Sequence, residues 1–396
     1  MTSWAEARKA AHAAASPLPP VNVPIGPVGG GPVTAVGTTL AEPLRAVTAV
    51  PAFDCSAMDG YALGALGGPW RVVGRVLAGP VRADVATSPL GPREAVEVAT
   101  GAAVPPGTAA VLPYELADRR GDRLEPTAPP HQGRHVRRTG EDVPLGADLL
   151  PAGTPVTPTV VGLAAAAGLD SLTVHPRARV AALLTGDELV HTGGSGAGLV
   201  RDAVGPALPG WVRALGGDLL TARPVPDADA DLLTTAIRAA GGDVVLTSGG
   251  AGTGPADLVG PALVRLGAQP VVDSVDVRPG HPQRLALLPD GRWLVALPGN
   301  PYAGLVAALT LLGPLLGGLG GRPQPELPTA PLAASAMDLH GTATRILPVR
   351  RTAAGTLERL GRDRPSNLWG AALADGFAVI PPGWRGEPVA LLAPPA

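Results

Sequence analysis

Four short runs of this 396-residue chain place carboxylates or glycines where an oxyanion or a phosphate could be handled. The first is Ser56-Ala57-Met58-Asp59-Gly60-Tyr61-Ala62, with Asp59 in front of the turn-forming Gly60. The second is Leu184-Thr185-Gly186-Asp187-Glu188-Leu189, polar groups following an apolar run. The third is Ser248-Gly249-Gly250-Ala251-Gly252-Thr253-Gly254-Pro255-Ala256-Asp257. A glycine-rich turn leaving a strand has free backbone N–H groups that can cradle an anion. Asp257 behind it could hold Mg²⁺ against a phosphate or oxyanion. The fourth, Leu297-Pro298-Gly299-Asn300-Pro301, brackets Gly-Asn with prolines, which fixes a rigid turn. Taken singly, each run has a plainer reading: a β-turn with a capping Asp, a helix cap, or a strand-to-helix turn.

The elements that must position these runs are legible in outline. Residues 4–15 are Ala-rich and helix-prone, residues 16–32 are a Pro/Gly-rich link expected to be mobile, and 38–45 suggests a short helix. From 47 to 137 short β-prone runs alternate with turns, as at 70–77, 95–100 and 109–112, which predicts a small β-rich domain. From 177 onward strands predicted at 180–184, 243–247 and 293–297 alternate with helices at 207–215 and 229–240. That alternation argues a parallel, doubly wound sheet, whose ligands sit at the carboxyl ends of strands. Three of the four runs lie at such ends. After Pro323-Gln324-Pro325 the pattern turns β-prone again. The predicted fold class is α/β plus β and multidomain: a small β-rich domain, a doubly wound domain and a C-terminal β domain.

Composition narrows the function classes. Net charge is −2 and no long basic run occurs, which argues against nucleic-acid binding. Cys55 is the only cysteine, so neither an internal disulfide nor a Cys-based zinc site can form, a pattern compatible with the cytoplasm. Residues 1–20 hold no apolar core of signal-peptide length. The most apolar stretch, 303–319, is broken by Gly304, Gly313, Pro314, Gly317 and Gly318, and reads as a buried helix rather than a membrane span. Lys9 is the only lysine, so nearly every other cation is arginine.

Together the four runs resemble the MoeA family of molybdopterin molybdenumtransferases, which includes the equivalent domain of gephyrin. Further matches are Thr100-Gly101-Ala102 with Pro106-Gly107 and Glu115, Arg137-Arg138-Thr139-Gly140-Glu141-Asp142, Ser366-Asn367-Leu368 and Ala374-Asp375-Gly376, all in family order. The resemblance covers residues 38–392. It implies a MogA-like doubly wound domain and four domains: a discontinuous first (1–46 and 138–176), an inserted second (47–137), a third (177–322) and a fourth (323–396). It also implies a homodimer whose cleft lies between the third domain of one subunit and the second domain of the other. The implied reaction inserts molybdate into adenylylated molybdopterin and releases AMP, with Mg²⁺ as cofactor, in the cytoplasm. Other molybdenum-cofactor biosynthesis proteins are the implied partners.

By motif, the implied catalytic set is Asp59, Thr100, Asp142, Glu188, Asp227 and Asp257, with Glu188 and Asp257 on the metal and Asp59 reaching in from the partner subunit. The implied substrate-binding set is Ser248, Gly249, Gly250, Arg278, His281, Pro298, Gly299, Asn300, Pro301 and Ser366. The chain departs from the family pattern at three places. Lys-Pro-Gly-Lys-Pro reads Arg278-Pro279-Gly280-His281-Pro282, and a further family lysine is Ser274. Arg278 keeps the charge, whereas His281 carries one only when protonated. The Asp-Thr/Ser-Asn motif reads Asp202-Ala203-Val204, and Ala251-Gly252-Thr253-Gly254 replaces Val-Ser-Val-Gly. The alternatives are a molybdopterin adenylyltransferase, whose Gly-Gly-Thr-Gly loop residues 249–254 resemble, a reduced-activity paralogue, and a non-catalytic scaffold.

Overall fold

The computed structural model describes residues 1–26, 35–80, 88–254, 257–333, 341–361 and 364–395. Its centre is a six-stranded sheet in the order Gly217–Val225, Ala178–Thr185, Val244–Ser248, Trp293–Leu297, Arg284–Leu287, Gln269–Val272. Neighbours among the first four strands are parallel. The last two strands run antiparallel, so the sheet is mixed rather than wholly parallel. Strands Val244–Ser248 and Trp293–Leu297 are buried at every position, as central strands covered on both faces must be. One face carries Leu208–Leu215 and the apolar helix Pro301–Leu319; the other carries Ala230–Ala239 and Val259–Leu266. The chain leaves Ala178–Thr185 toward one sheet edge and then returns to add Val244–Ser248 on the other side. The topological switch point therefore lies between those two strands.

Helix Trp4–Ala14 begins with a capping box, in which the Ser3 side chain accepts from the Glu6 N–H and Glu6 reaches back to the Ser3 N–H. Trp4, Ala7 and Ala11 share one helical face, and that face packs on the doubly wound unit rather than on the strands around residue 172. The partner helix Pro301–Leu319 is 89% buried and widens to a π-helix at Ala308–Leu312. Pro314 explains the widening, because it lacks an N–H and would clash with a carbonyl of the preceding turn. The Leu309 carbonyl within this widened turn is capped at 2.5 Å by the buried Arg8 guanidinium, and Trp4 Nε1 donates to Thr310 at 3.1 Å.

The β-rich insert is a six-stranded sheet in the order Ala117–Arg120, Arg123–Pro126, Trp70–Val76, Glu94–Val98, Gly60–Leu63, Ala110–Pro113. A C-terminal sheet joins Thr344–Arg351, Gly376–Ile380 and Val389–Leu392, and it recruits Thr2–Ser3 and Val275–Arg278 from earlier in the chain. The helix expected over 38–45 does not form: Thr39–Leu40 and Leu44–Arg45 are short strands. Pro43 lacks a donor and disfavours helix at the residue before it, and the strands find partners at Ser171–His175 and Asp148–Leu150. Within the expected mobile link, Val21–Pro24 is a strand paired with Ser171–Val174; residues 27–32 of that link lie outside the described residues.

Candidate active site

At the switch point the strand-end turns interlock. Thr185 donates its hydroxyl to the Ser248 carbonyl at 3.1 Å, and Gly249 donates its N–H to the Leu297 carbonyl at 3.0 Å. Gly249 has φ of 100°, and a Cβ there would lie 2.6 Å from the Thr185 carbonyl oxygen, so only glycine fits. A Cβ on Gly299 would meet the Gly249 Cα at 3.4 Å, which seats the Pro298-Gly299 turn against the glycine-rich loop. Asn300 precedes helix Pro301–Ala307 with its side chain free of any capping bond. Thus Ser248, Gly249, Gly250, Pro298, Gly299, Asn300 and Pro301 are gathered at the ends of adjacent strands.

Carboxylates crowd the same edge. Asp227 donates its backbone N–H to the Asp187 carboxylate at 3.1 Å. Partial burial raises the Asp227 carboxyl above the usual carboxylate range, and the negative charges of Asp187, Glu188 and Asp257 push it the same way. Glu188 is exposed beside them in the turn that follows Thr185. Asp257 accepts N–H bonds from Gly252 at 2.9 Å and Gly254 at 2.5 Å, and so ties the glycine-rich loop into a closed ring. Among the described residues no three His, Cys, Asp or Glu side chains form a ready metal cage. Oxygen donors at a shared edge still suit Mg²⁺, which keeps waters and binds through one or two carboxylates plus substrate phosphates.

The remaining expected acids lie apart. Asp59 is exposed and accepts from the Thr100 N–H at 2.6 Å and its hydroxyl at 3.1 Å, at the end of the inserted sheet. Asp142 pairs with Arg137, and nearby Asp54 accepts from Thr139 and Arg138. Hydrogen bonds from the Thr139 backbone and side chain, with the Arg138 charge, hold Asp54 below the usual carboxylate range. Among the described residues no hydrogen bond or ion pair links Asp59, Thr100 or Asp142 to the strand-end cluster.

A second recess of about 800 Å³ opens where Val275–Arg278 joins the C-terminal sheet. Arg278, His281, Thr342 and Arg345 line it, with Pro365. Ser366 is exposed directly after Pro365. The Pro365 carbonyl accepts the N–H groups of Tyr302 at 2.8 Å and Ala303 at 3.1 Å, so this recess is fastened to the helix that follows Pro298-Gly299-Asn300. Sequence reasoning missed Asp187, Thr185, Thr342 and Arg345. The first two sit inside a motif already singled out; the last two carry no local pattern. The altered Asp202-Ala203-Val204 run also has a local account. Asp202 is 6% exposed and accepts the N–H groups of Val204 and Gly205, while Val204 is core.

Two family models match the chain. One, described as the MoeA N-terminal region (domain I and II), covers residues 2–168, and the other, a probable molybdopterin binding domain, covers 181–318. Molybdopterin molybdenumtransferase 2 of Mycobacterium tuberculosis is 33% identical over 388 residues, 91% of each chain. The molybdopterin molybdenumtransferase of Haemophilus influenzae is 31% identical over 77% of this chain and 76% of its own. Among solved structures, a molybdopterin biosynthesis MoeA protein from Pyrococcus horikosii aligns with a TM-score of 0.76 at 26% identity, over 99% of both chains.

Proposed function

This chain belongs to the MoeA family of molybdopterin molybdenumtransferases, and we propose that its strand-end cluster is where adenylylated molybdopterin gives up AMP as molybdate is inserted. The protein is a molybdotransferase of molybdenum cofactor biosynthesis. The observation that carries the site assignment is the meeting of Asp227, Asp187 and Glu188 with the Asp257-closed glycine loop at the switch point. The glycine-rich loop at 249–254 meets substrate phosphate through the N–H groups it does not spend on Leu297 and Asp257. Glu188 and Asp257 would hold Mg²⁺, which when bound neutralises phosphate charge and polarises the bond to AMP. Arg278, His281 and Arg345 hold the oxyanion in the adjoining recess, an arginine contributing two parallel donors.

The subunits pair so that Asp59 and Thr100 of one face the strand-end cluster of the other. The division into domains near residues 46/47, 137/138, 176/177 and 322/323 belongs to the same proposal, as do work in the cytoplasm and contact with other cofactor-biosynthesis proteins. The test supplies purified protein with adenylylated molybdopterin, molybdate and Mg²⁺. Molybdate-dependent AMP release, with cofactor that reconstitutes an apo-molybdoenzyme, is the expected result. ATP-dependent adenylylation of free molybdopterin instead would transfer the chain to the adenylyltransferase reading suggested by Gly249 to Gly254. Silence in both assays would make it a paralogue.

A further inference from the structure

We infer that Gln283 and Arg284 are a paired brace, two positioning residues that set the oxyanion turn and the glycine-rich loop in register with each other. The inference rests on reading those two loops as substrate-gripping. Gln283 is fully buried, at 0% exposure. Its Nε2 donates to the Gly280 carbonyl at 2.7 Å, beneath the turn that carries Arg278 and His281. Its own N–H donates at 2.9 Å to the His281 carbonyl, which also accepts from Val275. Gly280 has φ of 97° and presses on the Ala303 carbonyl, where a Cβ would come within 2.9 Å. The turn is therefore gripped from below by Gln283 and from the side by the helix after Pro301.

The next residue serves the other loop. Arg284 donates Nε to the Ala251 carbonyl at 3.2 Å and ion-pairs with Asp273 through a largely buried guanidinium, and it lies under Gly260 of the helix that follows the loop. Consecutive residues of extended chain point to opposite sides, so one peptide unit reaches both loops. Arg284 also stands across from Ala296, next to Leu297 where the third turn begins. Residues 283 and 284 thus bond to two of the substrate-facing turns and stand beside the strand end that opens a third.

The amide of Gln283 shows what is at stake. Its Oε1 is buried and, among the described residues, has no hydrogen-bond partner. Burying an unmet carbonyl is unfavourable. Met or Leu would remove that orphan but leave the Gly280 carbonyl without its donor, so the amide is kept for its bond to the turn.

The test uses the full chain with Gln283→Met, Arg284→Met and Arg284→Lys. Melting temperature, equilibrium binding of molybdate alone, and the KM for each substrate are measured. For Gln283→Met, which exchanges the unmet Oε1 for an unmet Gly280 carbonyl, we expect a melting temperature within a few degrees of the unaltered protein, molybdate binding weakened about tenfold, and an unchanged KM for adenylylated molybdopterin. Arg284→Met should raise that KM and leave molybdate binding alone, and Arg284→Lys, which keeps charge but not the fork, should stay impaired. The brace is overturned if Gln283→Met binds molybdate normally, or if it only loses stability. Normal molybdate binding by the unaltered protein with no AMP release would overturn the proposed function instead. The binding readout would still decide the brace.

Discussion

The acids in and beside the inserted sheet and those of the doubly wound edge differ in their partners, and Asp54 and Asp227 are shifted in opposite directions. Asp54 and Asp142 each sit against an arginine, and Asp59 is satisfied by Thr100. At the switch point Asp187, Glu188, Asp227 and Asp257 share one edge, among the described residues no arginine is paired with any of them, and burial together with the neighbouring negative charges pushes Asp227 up. Carboxylates that have found partners stabilise the fold. At the doubly wound edge only backbone N–H groups answer Asp187 and Asp257, and Asp227 bears the repulsion of its neighbours. That difference is why the proposed cation site falls at the doubly wound edge and not beside Asp59.

The sharpest way to break this contrast is Asp257→Ala. It removes the acceptor of two loop N–H bonds along with a proposed cation ligand, and AMP release should fall about 10²- to 10³-fold. Asp59→Ala should cost about ten- to a hundredfold in the same assay, since Asp59 carries only substrate positioning. If the two acids serve one site across a dimer, co-expressing these two inactive chains should restore about a quarter of normal activity, because half of randomly paired dimers keep one intact site. No restoration would place both acids in the same subunit's site.

Stability supplies the smaller effects, and their signs oppose. Asp227 holds its proton more tightly folded than unfolded, so its contribution to stability is present at low pH and lost as pH rises through its raised value. Asp227→Asn should therefore raise the melting temperature at pH 7 by about 2 °C, lose that gain below the usual carboxylate range, and lower activity. Asp54 is shifted the other way, so its contribution is present at neutral pH and lost on acidification. Asp54→Asn should lower the melting temperature at pH 7 by about 1–2 °C, a modest figure because the carboxylate is partly open to water. Melts in added Mg²⁺ sharpen the contrast: the cation should stabilise the unaltered protein and stabilise Asp227→Asn less.

Much of the frame could be read from residue order. Strand predictions at 180–184, 243–247 and 293–297 landed within a residue or two, because fully buried strands are continuous apolar runs and their ends are marked by Gly, Asp and Pro. What stayed hidden was long-range. Nothing near Val275 announces that it will join the sheet built by Thr344–Arg351, and nothing near Trp4 announces helix Pro301–Leu319 as its partner. Thr38 to Arg45 misled because tertiary pairing overrode a weak local preference. Gln283 and Arg284 have no signature at all; only burial and bonding single them out.

The bond from Arg8 to the Leu309 carbonyl spans 301 residues of chain. Helix Trp4–Ala14 is synthesised long before the helix Pro301–Leu319 that buries Trp4, Ala7 and Ala11. At about 5–20 residues per second, roughly 15–60 s pass in which that apolar face has no native partner. The inserted sheet can close meanwhile on neighbours close in sequence, but the apolar face of Trp4–Ala14 is covered only once Pro301–Leu319 has been made.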